Sequence, residues 1–119
     1  MELSGKHCVP CEGGTLPLTG EILAAYAKNA PGWKVAGAPE SAKAPADKKK
    51  ISREFKFKDF KAAMVFVNRV AEIANQEEHH PDICIFYNLV RLELWTHAIG
   101  GLSENDFIMA AKIDELGKG

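Results

Sequence analysis

The chain has 119 residues, enough for one domain with one sizeable core and too few for two. Its 46% hydrophobic and 26% charged residues are ordinary for a soluble globular protein. A formal net charge of -1 gives no reason to expect direct nucleic-acid or anionic-membrane binding. No apolar run approaches the roughly 18 residues that span a bilayer. Met1 to Lys6 lacks a charged-then-apolar signal pattern, so a cytoplasmic location is the expectation.

Residues 1–18 are rich in Gly, Pro and Cys and read as an irregular N-terminal segment, with one domain following over 19–117. Cys8, Cys11 and Cys84 are an odd number and do not make a disulfide framework. Cys8-Val9-Pro10-Cys11 is half of a zinc site, but no second Cys pair and no zinc-finger His spacing accompanies it. No metal is expected there, and the segment reads as flexible or lightly docked. Cys84, inside Ile83-Cys84-Ile85-Phe86, reads as a small buried hydrophobe.

Thr19 is placed to cap a first helix through Ile22, Leu23, Tyr26 and Ala27, stopped by Pro31-Gly32. Trp33 to Ala36 is a short strand candidate. Gly37 to Lys50, built of Ala, Pro and Lys without periodicity, reads as a solvated loop. From Ile51 to Phe57 apolar positions alternate with polar ones, the pattern of a half-buried strand. Asp59 then caps a helix ending near Glu77, with Phe60, Ala63, Met64, Val67, Val70, Ala71 and Ala74 on one stripe. Val65, Phe66 and Ile73 lie off that stripe, so this helix should meet the sheet and something further, such as another subunit.

Pro81 ends the helical pattern, and strands are expected at Ile83 to Tyr87 and Val90 to Trp95. Gly100-Gly101 marks a turn, and Ser103 caps a last helix through Leu116, with Gly117 just past its end. The fold expected is α+β: a four-stranded antiparallel sheet with three helices on one face.

His79, His80 and His97 fall at the ends of elements, none on a regular apolar stripe. Spacing alone is equally compatible with a catalytic site and with imidazoles that bond local backbone at chain reversals. Proline biases His80 toward extended backbone, so the two adjacent rings should diverge, which disfavours a shared metal ion.

The run Glu78-His79-His80-Pro81, then Tyr87-Asn88, Thr96-His97 and Gly101-Leu102-Ser103-Glu104-Asn105-Asp106, resembles the pterin-4a-carbinolamine dehydratase family. That family is also known as a dimerisation cofactor of a homeodomain transcription factor. Phe57-Lys58-Asp59-Phe60 and Gly32-Trp33 also resemble family positions, and the similarity covers about residues 16 to 116.

The resemblance implies loss of water from a 4a-hydroxytetrahydropterin, giving a quinonoid dihydropterin in tetrahydrobiopterin recycling. Histidines would act as acid and base, without a cofactor. It implies His79, His80 and His97 as catalytic residues, with pterin contacts from His80, Pro81 and Asp106, and a homodimer or homotetramer. Asp106 also has a structural reading: three residues after Ser103, it can complete a capping-box-like helix start. Trp33, Phe86 and Trp95 could be aromatic walls or core.

Where the family usually has an ionisable residue four places before the first His, this chain has Asn75, which can hold a hydrogen bond but supplies no charge. Glu78, roughly on the same helical face, could partly substitute. Two further readings stand beside the enzyme: a non-enzymatic dimerisation module, and an accessory protein acting on another pterin such as molybdenum cofactor.

Overall fold

The computed structural model describes residues 3–9, 17–37 and 49–117. Its elements are α1 (Gly20–Lys28), β1 (Lys34–Gly37), β2 (Lys49–Lys56), α2 (Phe60–Glu77), β3 (Asp82–Phe86), β4 (Leu89–Leu94), a short 3-10 turn at His97–Ile99, and α3 (Glu104–Gly117). The strands form one antiparallel sheet in the order β1-β2-β4-β3.

Strand alternation decides which face is covered. Ile51 pairs with Leu94, Arg53 with Leu92 and Phe55 with Val90, and Val90, Leu92 and Leu94 are fully buried beneath the helices. The alternate residues carry the other face, where Arg91 pairs with Glu54 at 3.0 Å and Lys50 with Glu93 at 2.7 Å. The expected α+β fold, with three helices against one face of a four-stranded sheet, is the fold observed.

Within the helical layer α3 supplies most of the core: Phe107, Ile108, Met109, Ala110 and Ile113 are all buried, while Glu115 near its end is exposed. Tyr26 of α1 lies on Phe107 with ring centroids 5.4 Å apart. On α2 the buried residues are Ala63, Phe66, Val67, Val70 and Ala74. Phe66, read as off the stripe, turns inward against Phe55 and Phe57. Phe60 and Val65 remain exposed.

Several local expectations are corrected. Thr19 occupies the N-cap of α1 with extended backbone, but its side chain makes no cap hydrogen bond. Cys84 points to the open face of edge strand β3 and is exposed, because its register partner is Arg91 and not a core residue. Gly117 is the last residue of α3 and not the one past it. Lys49 and Lys50 begin β2, so the expected loop is shorter at that end, and residues 38–48 lie outside the described ones. Asp59 does cap α2: its carboxylate accepts from Ala62 N at 2.9 Å.

Candidate active site

The sequence-marked histidines sit where α2 and β4 end and α3 begins. Glu78, past the end of α2, adopts a left-handed conformation with φ of 54°, and both its own N–H and that of His79 return to Ala74 O. This tight stop turns the chain so that His79 enters the protein while His80 faces outward. The rings diverge as proline-biased backbone predicts. Glu78 leaves the helical face of Asn75 at this turn, but its side chain still lines the cleft beside the histidines.

His79 Nε2 lies 2.6 Å from Asp106 Oδ1, with the His79 side chain 12% exposed and the Asp106 side chain fully buried. The other carboxylate oxygen accepts from Thr96 Oγ1 at 2.9 Å and from Ser103 N at 2.9 Å. Since the Thr96 hydroxyl proton goes to Asp106, the Ser103 hydroxyl, 2.7 Å away, donates to Thr96. Asp106 therefore supplies one half of a capping box at the start of α3, accepting from Ser103 N while the Ser103 hydroxyl turns to Thr96, and also holds His79. With the carboxylate ionised, Nε2 of His79 is the donor, and Nδ1 is left as the lone-pair nitrogen of the neutral ring. Full burial places Asp106 behind the imidazole, so it reaches the cleft through His79.

His80 Nε2 lies 3.0 Å from Asn75 Oδ1. Asn75 thus orients the second histidine without adding charge. His97 opens the 3-10 turn that follows β4 and is exposed, its ring resting on Trp95 with centroids 3.9 Å apart. Gly100, with φ of 67°, closes that turn, and a bridge between Thr96 and Gly101 returns the chain to α3. The three histidines line one cleft of about 790 Å³ together with Pro81, Asp82, Trp95, Thr96 and Asn105. That volume suits a small heteroaromatic ligand.

Of the three aromatics weighed as walls, Trp95 lines the cleft, Trp33 is core with Nε1 donating to Asp114, and Phe86 is exposed on β3. Tyr87 lies in the β3–β4 turn, exposed and with φ of 55°, away from the cleft lining.

Sequence reasoning missed Thr96, whose hydroxyl role needs the tertiary pairing of β4 with α3. It also missed the N-terminal residues His7, Cys8 and Val9, which line the same cleft. Burial first, then the Glu77 and Asp106 carboxylates, push the Cys8 thiol up to about 12. A thiol so placed stays protonated at neutral pH and is a poor nucleophile or metal ligand. Among the described residues no three His, Cys, Asp or Glu side chains gather as a metal site, and Cys11 lies outside them. No helix among the described residues is long and apolar enough to cross a membrane.

Comparison with known proteins agrees with this geometry. A family profile described as pterin 4 alpha carbinolamine dehydratase matches residues 16–116. A candidate pterin-4-alpha-carbinolamine dehydratase of Rubrobacter xylanophilus is 44% identical over 115 residues, covering 97% of this chain and 98% of its own. One of Nitrosospira multiformis is 47% identical, covering 97% of this chain and 92% of its own. A crystal structure of a transcriptional coactivator/pterin dehydratase from Brucella melitensis superposes with a TM-score of 0.70 at 32% identity, covering 84% of this chain and 97% of that one. With its fold, its histidine cleft and these relatives in agreement, the chain belongs to the pterin-4a-carbinolamine dehydratase family.

Proposed function

We propose that the cleft dehydrates a 4a-hydroxytetrahydropterin to the quinonoid dihydropterin by histidine acid–base catalysis, serving tetrahydrobiopterin-type cofactor recycling. One proton goes to the departing 4a-hydroxyl, the C4a–O bond breaks and water leaves. A second proton is taken from N5 as the C4a–N5 double bond forms, so the step is proton-neutral and redox-neutral. Imidazole, with an ordinary pKa near 6.5, suits both transfers at neutral pH. His79 and His97 act as acid and base about the C4a–N5 edge, and His80, with Pro81 beside it, binds the ring or takes the ring proton.

The observation that carries this reading is the His79–Asp106 contact of 2.6 Å at the wall of a cleft that two further histidines share. The buried carboxylate steadies the imidazolium that forms when His79 takes a proton. Mixing the protein with freshly generated 4a-hydroxytetrahydropterin in a stopped-flow instrument, and following quinonoid product by absorbance, tests it. Wild type should exceed buffer by orders of magnitude; a rate equal to buffer would refute it.

Homo-oligomer formation accompanies this reading, and exposed apolar side chains support it: Phe60 and Val65 on α2, and Ile85 and Phe86 on edge strand β3. The same surfaces favour, as second reading, the dimerisation-module role, which the coactivator part of the Brucella protein's name parallels. Light scattering on the purified chain, expected to show a dimer or tetramer, tests the assembly; a strict monomer would count against it.

A further inference from the structure

Residues 3–9 lie outside the stretch that the family profile matches, 16–116, yet they are anchored along their length. Leu3 is buried in the core at 3% exposure, and Lys112 Nζ donates to Ser4 O at 2.9 Å. Lys6 Nζ meets Glu104 Oε2 at 3.0 Å, the same oxygen that accepts from the Tyr26 hydroxyl at 2.8 Å.

Two side chains then clamp the end of the segment. Glu77 accepts from Cys8 N at 2.7 Å through one oxygen and lies 2.9 Å from His7 Nδ1 through the other. Asn105 accepts from Val9 N at 3.1 Å and donates back to Val9 O at 2.6 Å, a two-point grip on the backbone of one residue. Glu77 stands two residues before His79, and Asn105 one residue before Asp106. The helix ends that set the histidine–aspartate pair therefore set the segment too.

His7, Cys8 and Val9 consequently form part of the cleft wall. Cys8 turns its sulfur inward, 3.6 Å from Asn105 O. Val9 is gripped through its backbone, and its side chain, 64% exposed, plays no part in the grip. An apolar side chain held by fixed backbone bonds at the rim of an imidazole-lined cleft is built to meet a ligand's apolar surface. A fused bicyclic ring offers such surface on its faces, while its donors and acceptors lie along its edges.

We propose that the docked N-terminal segment is part of the substrate site, with Val9 a specificity residue that covers apolar surface of the reduced pterin while the histidines address its C4a–N5 edge. This rests on the reading of the cleft as a pterin site.

The test uses the full-length chain and Val9→Ser, with Val9→Ile as the conservative variant. Two quantities are measured: KM and kcat for dehydration, and Kd for biopterin, an oxidised pterin with no 4a-hydroxyl to lose, by fluorescence quenching. Val9→Ser should raise KM and the biopterin Kd about 3- to 10-fold, from the loss of one or two apolar contacts. It should leave kcat within about twofold, the signature of lost uniform binding. Val9→Ile should restore both constants.

Unchanged Kd and KM in Val9→Ser would overturn the proposal while leaving the catalytic reading intact. Wild type that binds biopterin but does not speed dehydration would remove the catalytic reading, and the Val9→Ser effect on Kd would still decide this one. Wild type that neither binds biopterin nor speeds dehydration would overturn both.

Discussion

Replacing Asp106 with asparagine keeps the shape of the side chain and removes its charge. The carboxylate accepts from three donors: His79 Nε2 at 2.6 Å, Thr96 Oγ1 at 2.9 Å and Ser103 N at 2.9 Å. One amide oxygen can face the Thr96 and Ser103 pair, which preserves the helix start. The amide NH2 then faces Nε2 of His79, and two donors oppose each other unless the imidazole moves its proton to Nδ1. In that tautomer the nitrogen that should accept a proton already holds one.

The lost interaction is a charge-assisted hydrogen bond worth about 1.5–3 kcal/mol. At about 1.4 kcal/mol per factor of ten, kcat should fall roughly 10- to 100-fold, with KM little changed. Stability should drop by only about 1–2 kcal/mol, because two of the three bonds remain. Single-turnover stopped-flow kinetics reads the rate, and nitrogen-15 NMR of the imidazole reads the tautomer. A variant with the His79 proton moved to Nδ1 but with kcat within about twofold of wild type would refute the reasoning.

Loss of the Asp59 cap in Asp59→Ala should cost about 1 kcal/mol and lower Tm by a few degrees without affecting kcat, by thermal denaturation and assay. Cys84 is exposed while the Cys8 thiol is half-buried and raised to about 12, so site-resolved alkylation at neutral pH should label Cys84 well before Cys8; equal rates would contradict the docked segment. Burial acts to raise the Glu77 pKa, but the Cys8 N–H, His7 and Lys112 outweigh it and hold the carboxyl below its ordinary value. Its contribution to stability is therefore present above that ordinary value and is lost as pH falls through the lowered one. Acid titration should release the N-terminal segment, seen as faster Cys8 labelling on return jumps, and Glu77→Gln should flatten that dependence.

The fold was legible because its periodic signals are strong. The alternation from Ile51 to Phe57, the Asp59 cap and the helical spacing through Ala74 each specify one element, and chain order with short connections leaves an antiparallel sheet. Cys84 misled because a continuous apolar run does not say which of its residues face the core, and only the register that pairs Cys84 with Arg91 puts it on the open face of the sheet. The site was legible as a set of residues but not as a mechanism. The family resemblance marked His79, His80, His97 and Asp106, where spacing alone left the histidines undecided, and the capping-box reading of Asp106 was right as far as it went. That one carboxylate serves both the helix start and His79 depends on a contact across 27 positions, which no local pattern encodes. The grip of Glu77 and Asn105 on residues 7–9 spans about 70 and 96 positions and was equally invisible.

The central claim is that three histidines sharing one cleft carry out the dehydration. Single-turnover dehydration of 4a-hydroxytetrahydropterin by wild type, His79→Ala, His80→Ala and His97→Ala, each verified as folded by circular dichroism, tests it most directly. Wild type should far exceed buffer, and each substitution should reduce the rate, by about 10²- to 10⁴-fold where the lost imidazole transfers a proton in the transition state. A wild type no faster than buffer, or three variants indistinguishable from wild type, would contradict the account.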